Sequence, residues 1–147
     1  MKKKWFKILL VMAGLGIVAA VLVLVFIYNK PHPNYEKEVP EYFLSAQELF
    51  NAYRDNKDDA QAKFNGTMVA VEGELTTVDL AGENLIAYFV LDKGIMGNEG
   101  IRITMLPEQE NRLKGIELSS SVTIKGFVTG YDDTDVKLLH GSLLNSN

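Results

Sequence analysis

One uninterrupted apolar stretch, Ile8 to Tyr28, constrains this chain more than any other feature. Its 21 residues include no charged residue and no proline. As a helix that rises about 1.5 Å per residue it would be about 31 Å long, close to the hydrocarbon thickness of a bilayer. A helix also satisfies every backbone N–H and C=O within the segment, as lipid requires. The stretch is therefore predicted to be a transmembrane helix, and residues 1–7 form a short basic end before it.

The placement of positive charge around this stretch predicts its orientation. Four lysines lie within residues 1–7, whereas Lys30 and Lys37 follow the stretch and Lys37 lies between two glutamates. Lysines near a transmembrane segment tend to stay in the cytoplasm. We therefore expect a single-pass protein of the cell (inner) membrane, with its N-terminus inside and its C-terminal domain extracytoplasmic or periplasmic.

A cleaved signal peptide is the alternative interpretation, because lysines, an apolar run and small residues such as Ala19-Ala20 also occur in such peptides. The apolar run continues through residues 21–28, however, and exceeds the roughly 7–15 apolar residues of a typical signal peptide. A retained anchor is therefore favoured. The sequence contains no cysteine, so we expect no lipid-modified cysteine, no disulfide and no thiolate metal site.

Net charge differs between the two parts of the chain. Residues 1–40 carry six lysines and two acidic residues, a charge of +4, whereas residues 41–147 carry nine basic and seventeen acidic residues, a charge of −8. Binding to a phosphate backbone depends on Lys and Arg that displace counterions. We therefore expect no nucleic-acid partner, and we interpret the acidity of the C-terminal part as a means of keeping it soluble.

Residues 29–40 are interpreted as an extended linker that holds the following domain off the bilayer. They contain Pro31, Pro33 and Pro40, and proline is excluded from helix interiors and favours extended backbone. His32 lies between two of these prolines and is interpreted as solvated. The domain itself is expected to cover residues 41–147.

A helix with a well-marked start is predicted over residues 44–56. Ser45 and Glu48 have the spacing of a capping box, and the helix has an apolar face made of Leu49, Phe50 and Tyr53. A second short helix is predicted over residues 58–64, and Asn65-Gly66 is expected to end it as a turn.

From Thr67 onward the apolar residues recur with the period of two that is typical of strands. Gly73 falls on the buried phase of the first strand, which predicts a bend there. Four further strands are predicted over residues 85–91, 101–106, 122–131 and 135–140, with a short helix at 107–114. This order predicts an N-terminal transmembrane helix followed by an all-β or α+β domain, a five-stranded OB-fold barrel preceded by a helix.

Two groups of core and turn residues carry a family resemblance. They comprise Leu49, Ala52, Tyr53, Asn56, Ala60, Lys63, Phe64, Gly66, Val69, Val71, Gly73, Leu75 and Val78, then Gly115, Val122, Ile124, Lys125, Gly126, Gly130, Asp135, Val136, Lys137 and Leu138. In these residues the chain resembles the tRNA_anti-like family, OB-fold domains found largely in bacterial lipoproteins and membrane-anchored proteins. The resemblance covers residues 45–143 and implies the fold. It does not imply tRNA binding, because the family name refers to a structural likeness to anticodon-binding barrels.

A candidate ligand face is predicted on the second and third strands, where OB-folds usually bind their ligands. Tyr88 and Ile86 on one strand could share a face with Arg102 and Thr104 on the next. An aromatic side chain on that face stacks bases or sugars in many OB-folds. The alternative interpretation places Tyr88 beneath the N-terminal helix, as part of the core.

Three other features of the sequence have residue types found in binding or catalytic sites. Asp132, Asp133 and Asp135 could contribute oxygens to a calcium ion, but no EF-hand loop surrounds them, and a solvated acidic turn is the favoured interpretation. The glycine-rich loop at 94–100 lacks the Lys-Ser/Thr ending of a phosphate loop. His140 shares the phase of buried neighbours and is interpreted as a partly buried strand end.

The sequence therefore predicts a membrane-anchored binding module for a protein or an envelope polymer, with no catalysis, no cofactor and no metal. One alternative is a structural subunit that supports another membrane protein. The other is an enzyme with an unrecognised acidic site, for which the candidate carboxylates are Glu72, Asp132, Asp133 and Asp135.

Overall fold

The computed structural model describes residues 2–29 and 34–146. The chain divides into two units, one ending at Asn34 and the other beginning at Tyr35. His32 and part of the predicted linker lie outside the described residues. The first unit contains helix α1 (Lys2–Tyr28), whose side chains are exposed throughout. Its length and a mean hydropathy of 3.1 are sufficient to cross a membrane, a property that anchors and signal sequences share.

The second unit contains one mixed seven-stranded sheet with short helices. Its strands are β1 (Tyr42–Ser45), β2 (Met68–Glu74), β3 (Thr77–Asp79), β4 (Ile86–Gly94), β5 (Gly97–Met105), β6 (Ser121–Tyr131) and β7 (Asp135–Ser146). Its helices are α2 (Ala46–Asp55), α3 (Lys57–Phe64) and α4 (Glu110–Lys114), the last preceded by a 3-10 turn (Pro107–Gln109).

The sheet has the order β1-β2-β6-β7-β5-β4-β3 and is open at β1 and β3, so the predicted five-stranded barrel is not confirmed. Strand β1 is additional, and the predicted first strand is divided into β2 and β3. The division lies at two adjacent residues. Leu75 N–H donates to the carbonyl of Ser120 beside β6, and Thr76 N–H donates to the carbonyl of Tyr88 in β4, both at 3.0 Å. The chain therefore leaves one neighbouring strand and joins another at this point.

Helix α2 begins as the sequence predicts. The Ser45 side chain accepts a hydrogen bond from the Glu48 N–H, and the Glu48 carboxylate accepts one from the Ser45 N–H, which completes the capping box. The predicted apolar face is buried against the inner side of the sheet. Tyr53 is fully buried there, its hydroxyl donates to Asn65 Oδ1 at 2.5 Å, and burial raises its pKa to about 12.

Gly73 lies where α2 approaches the sheet closely. A Cβ atom at this position would lie 2.8 Å from the Cβ of Ala46 and 3.4 Å from the Phe89 ring. The first turn of the helix would have to move to accept such an atom. The glycine on the buried phase of the predicted strand therefore reflects contact with α2.

Residues 35–41, which we call the strap, pack on the outer side of the sheet, although residues 35–40 belong to the predicted linker. The Tyr35 ring stacks on His140, with centroids 3.7 Å apart and planes at 6°. The Lys125 ammonium donates to the carbonyls of Glu36 and, at 2.8 Å, of Glu38. Lys125 is only 4% exposed as a result, and its register partner Ala70 is buried too.

Candidate ligand-binding face

Four residues on adjacent strands lie directly opposite one another on the outer side of the sheet. Thr77 of β3 pairs with Tyr88 of β4, Tyr88 with Arg102 of β5, and Arg102 with Lys137 of β7. We call these four residues the outer row. Their neighbours along the strands point inward and are buried, among them Ala87, Phe89, Ile101, Ile103, Val136 and Leu138. With neighbouring strands about 4.8 Å apart, the row extends about 14 Å across the sheet.

The structure brings together the residues that the sequence predicts for this face. Tyr88 lies opposite Arg102, and Ile86 lies opposite Thr104. Tyr88 points outward, so it does not pack beneath a helix as the alternative interpretation had it. A cleft of about 170 Å³ is lined by Thr77, Asp79, Ile86, Tyr88 and Arg102. The role of these side chains in ligand binding stays a prediction.

A buried carboxylate fixes the position of Tyr88. Asp135 accepts hydrogen bonds from the Tyr88 hydroxyl at 2.6 Å and from the Gly100 N–H at 3.1 Å. Burial, followed by this hydrogen bond, raises the pKa of Tyr88. The phenol therefore stays neutral at physiological pH and presents an uncharged ring beside the cleft.

The two cations of the outer row remain accessible although each has a carboxylate near it. The side chain of Arg102 is 50% exposed, and its Nε lies 3.7 Å from Asp135. Its guanidinium also lies 5.6 Å from the centre of the Tyr88 ring, within the range of a cation–π contact. Lys137 is 49% exposed and pairs with Asp132 at 2.8 Å. Both cations keep exposed surface for an anionic group.

The three aspartates of the last hairpin have separate partners. Asp132 accepts from the N–H groups of Thr134 and Asp135, and Asp133 pairs with Lys57 at 2.7 Å. Although burial raises the pKa of Asp132, hydrogen bonds from Lys137, Asp135 and Thr134 lower it well below its usual range. In the described part of the chain, no group of His, Asp and Glu side chains has the arrangement of a metal site.

The sequence does not assign Asp135 and Lys137 to this face. It predicts that Asp135 lies in a solvated turn, but this residue is buried beneath Tyr88. Lys137 alternates with Val136 and Leu138, so its outward direction was readable from the sequence. The parallel pairing of β5 with β7 places both residues beside Arg102 and Gly100, and local patterns do not specify that pairing.

The family can now be assigned from sequence and fold together. The tRNA_anti-like family matches residues 1–143. This chain belongs to that family. Among curated proteins, none matches the sequence.

Solved structures of low sequence identity are similar to the domain to different degrees. A lipoprotein from Klebsiella pneumoniae, named as a candidate nucleic acid-binding protein, superposes with a TM-score of 0.55 at 15% identity, over 70% of this chain and 91% of that chain. A mitochondrial single-stranded DNA-binding protein from S. cerevisiae gives a TM-score of 0.37 at 12% identity, over 58% of this chain and 99% of that chain. Asparaginyl-tRNA synthetase from Pyrococcus horikoshii gives 0.37 at 15% identity, over 58% of this chain and 20% of that chain.

The expectation that nucleic acid is not a partner class is wrong. A lipoprotein with this fold is named as a candidate nucleic acid-binding protein, which overturns the exclusion. The exclusion rested on the charge of −8 summed over residues 41–147. Binding depends on the charges that face the ligand, and at the outer row these include Arg102 and Lys137.

Proposed function

We propose that this protein is a membrane-anchored OB-fold binding module, with no catalytic role, whose partner lies across the outer row. Single-stranded nucleic acid is the partner class that this face fits best. We further propose that β2 to β7 are the strands of an OB-fold barrel, with β2 and β3 as the two halves of its first strand. The exchange of hydrogen-bond partners between Leu75 and Thr76 supports this assignment.

The observation that carries the proposal is the row of a tyrosine ring, a guanidinium and an ammonium on three adjacent strands. Tyr88 offers a neutral ring on which a base can stack, and such stacking is sequence-tolerant because every base has a π-face. Arg102 lies next to the ring and Lys137 lies next to Arg102, and both can donate charge-assisted hydrogen bonds to phosphate oxygens. The arrangement suits an unpaired strand, whose bases are available for stacking.

The small number of cations predicts a shallow dependence on salt. Each phosphate neutralised on a single strand contributes a slope of about −0.7 to the plot of log affinity against log salt concentration. With Arg102 and Lys137 as the two contributing cations, the expected slope is about −1.4. Binding through many phosphate contacts would give a much steeper slope.

The direct test is fluorescence anisotropy of labelled oligothymidine with the full chain in nanodiscs. Tyr88→Leu keeps apolar bulk but removes the stacking ring, and we expect about a 5- to 160-fold loss of affinity. Lys137→Gln is expected to weaken binding and to reduce the salt slope. Lys114→Gln is the matched control, since Lys114 is equally exposed at 49% and also pairs with a carboxylate. An anisotropy that does not rise, or equal losses for both lysine variants, would contradict the proposal.

An envelope polysaccharide is the second candidate partner. Asp79 and Thr77 line the same cleft and offer oxygens that suit sugar hydroxyls, whereas a carboxylate disfavours phosphate. A sugar ring can also pack on Tyr88. Binding of an uncharged polysaccharide would be insensitive to salt. The variant Asp79→Ala would weaken this binding. With oligothymidine as ligand, the same variant would leave affinity unchanged or raise it.

We propose that the domain lies outside the cytoplasm, with α1 retained as a single-pass anchor. The lysines of residues 1–7 support this orientation. Protease added to spheroplasts should digest the C-terminal domain while a tag at the N-terminus survives. If the domain is protected from the protease, the topology is the opposite of the one proposed. Recovery of a chain that begins after residue 20 would favour the cleaved signal peptide.

A further inference from the structure

The hairpin between β4 and β5 ends in two fully exposed apolar side chains. Ile95 is 104% exposed and Met96 is 88% exposed, at the tip formed by residues 94–97. Gly94 and Gly97 are register partners, so Ile95 and Met96 are the two residues that join the strands. We call these four residues the hairpin tip.

The turn itself does not require apolar residues. Turns favour Gly, Asn, Asp and Ser, because these residues tolerate positive φ or bond to nearby backbone. Gly97, at φ +125°, provides the unusual conformation of this turn. Ile95 and Met96 contribute no such property, and exposed apolar clusters commonly mark contact with another protein or with a membrane. Their presence at the tip therefore points to a partner.

The stem of the hairpin is fixed to the rest of the domain. Asp92 forms an ion pair with Arg54 at the end of α2. The N–H of Lys93, followed by Arg54, lowers the pKa of Asp92. Glu99 lies against Gly94, and the side chain of Lys93 is exposed on the opposite strand. The charges beside the tip therefore largely balance, so the tip itself adds no net negative charge that would be repelled by anionic lipid.

We propose that the hairpin tip inserts Ile95 and Met96 into the interfacial region of the bilayer that holds α1. The proposal rests on the anchoring proposed above, because a domain attached to a membrane always has a lipid surface nearby. Six residues, 29–34, separate the end of α1 from Tyr35 of the strap. Six residues extend at most about 20 Å, so the local concentration of lipid around the domain is high. A second contact would restrict rotation of the domain about its linker.

The absence of cysteine from the sequence makes a site-specific test clean. The full chain carrying Ile95→Cys is labelled with an environment-sensitive fluorophore and reconstituted into lipid vesicles. Leu118→Cys is the matched control, since Leu118 is an exposed apolar residue on a different loop. We expect a blue-shifted emission and quenching by spin-labelled lipid for the probe at position 95, and water-like emission without lipid quenching for the probe at position 118. Met96→Cys should repeat the result at position 95, and circular dichroism checks that each variant folds.

The other outcomes separate this inference from the anchoring. If the labelled chain floats with the vesicles but its probe at position 95 behaves like the control, tip insertion is overturned and the anchor stands. If the chain fails to float, the anchor itself is overturned and this inference falls with it. A blue shift that lipid quenchers leave unchanged, and that grows with protein density, would assign the tip to contact with a second copy and overturn the lipid contact.

Discussion

The outer side of the sheet is covered by the strap at β6 and is open at the outer row. Each of these two places contains a cation. Lys125 of β6 is buried by the strap, and its ammonium is bonded to backbone carbonyls. Arg102 of β5 is half exposed and lies near a single carboxylate oxygen of Asp135. The first cation holds a segment of the chain in place. Arg102 retains exposed surface that a ligand could contact. The role of each cation therefore depends on whether its strand is covered by another part of the chain.

The covered and the open side also differ in how their aromatic residues are held. On the covered side the Tyr35 ring is paired with His140 and lies 6.5 Å from Phe127. On the open side Tyr88 is held through its hydroxyl by Asp135, while its ring faces the cleft. A ring stacked within the protein stabilises the fold, whereas the ring of Tyr88 is the one that we propose for stacking on a partner.

The largest expected effect comes from removing the covered cation, Lys125, and the open cation, Arg102, serves for comparison. Lys125→Met leaves the carbonyls of Glu36 and Glu38 without their charged donor, and we expect a loss of about 2–3 kcal/mol in the free energy of unfolding. Arg102→Met, on an exposed strand position, should change it by no more than about 0.5 kcal/mol. Urea unfolding of the full chain in detergent, followed by circular dichroism, measures both. Equal losses would remove the distinction between the covered and the open side.

The second effect is a loss of free energy of unfolding at alkaline pH, which we expect to come from the buried Tyr53 in the core. The pKa of Tyr53 is raised to about 12, whereas a tyrosine in the unfolded chain ionises near pH 10. Because the unfolded state loses its proton first, the stabilisation is complete below about pH 10 and falls as the pH rises towards 12, by about 2 kcal/mol. Unfolding midpoints between pH 9 and 12 test this. Tyr53→Phe should flatten the decline, and an unchanged slope in that variant would contradict the assignment.

A smaller effect is expected at the support of the open face. Asp135→Asn removes the negative charge that accepts from the Tyr88 hydroxyl, so the pKa of Tyr88 should fall towards its ordinary value. We expect a stability loss of about 1 kcal/mol, typical of one weakened buried hydrogen bond. Ultraviolet titration detects the tyrosinate, and Tyr88→Phe identifies its step. Asp133→Asn, on the same turn but exposed, is the control, and an equal shift in that variant would count against the pairing.

Local sequence signals predicted the elements that depend on neighbouring residues. The apolar stretch at 8–28 predicted α1, and the capping box at Ser45 predicted the start of α2. Asn65-Gly66 ends α3 as expected, with Gly66 at φ +80°. The pair Tyr88 and Arg102 was also predicted correctly to share a face, because alternation along each strand fixes the direction of its side chains.

Elements that depend on distant contacts were not predictable in this way. Strand β1 has four residues, too few to show a period, and it exists because it pairs with β2. The strap is held by His140, whose φ of +56° follows from the fold around it. The position of Asp135 depends on the parallel pairing of β5 with β7, which places Gly100 opposite it.

Chemical-shift mapping of the isotopically labelled full chain in nanodiscs, titrated with oligothymidine, tests most directly whether the open face binds the partner. We predict shifts in the backbone amides of Thr77, Tyr88, Arg102 and Lys137, with Lys125 and the strap unaffected. Shifts confined to the strap and its neighbours on β6, or no shifts at ligand concentrations that saturate the anisotropy signal, would contradict the account.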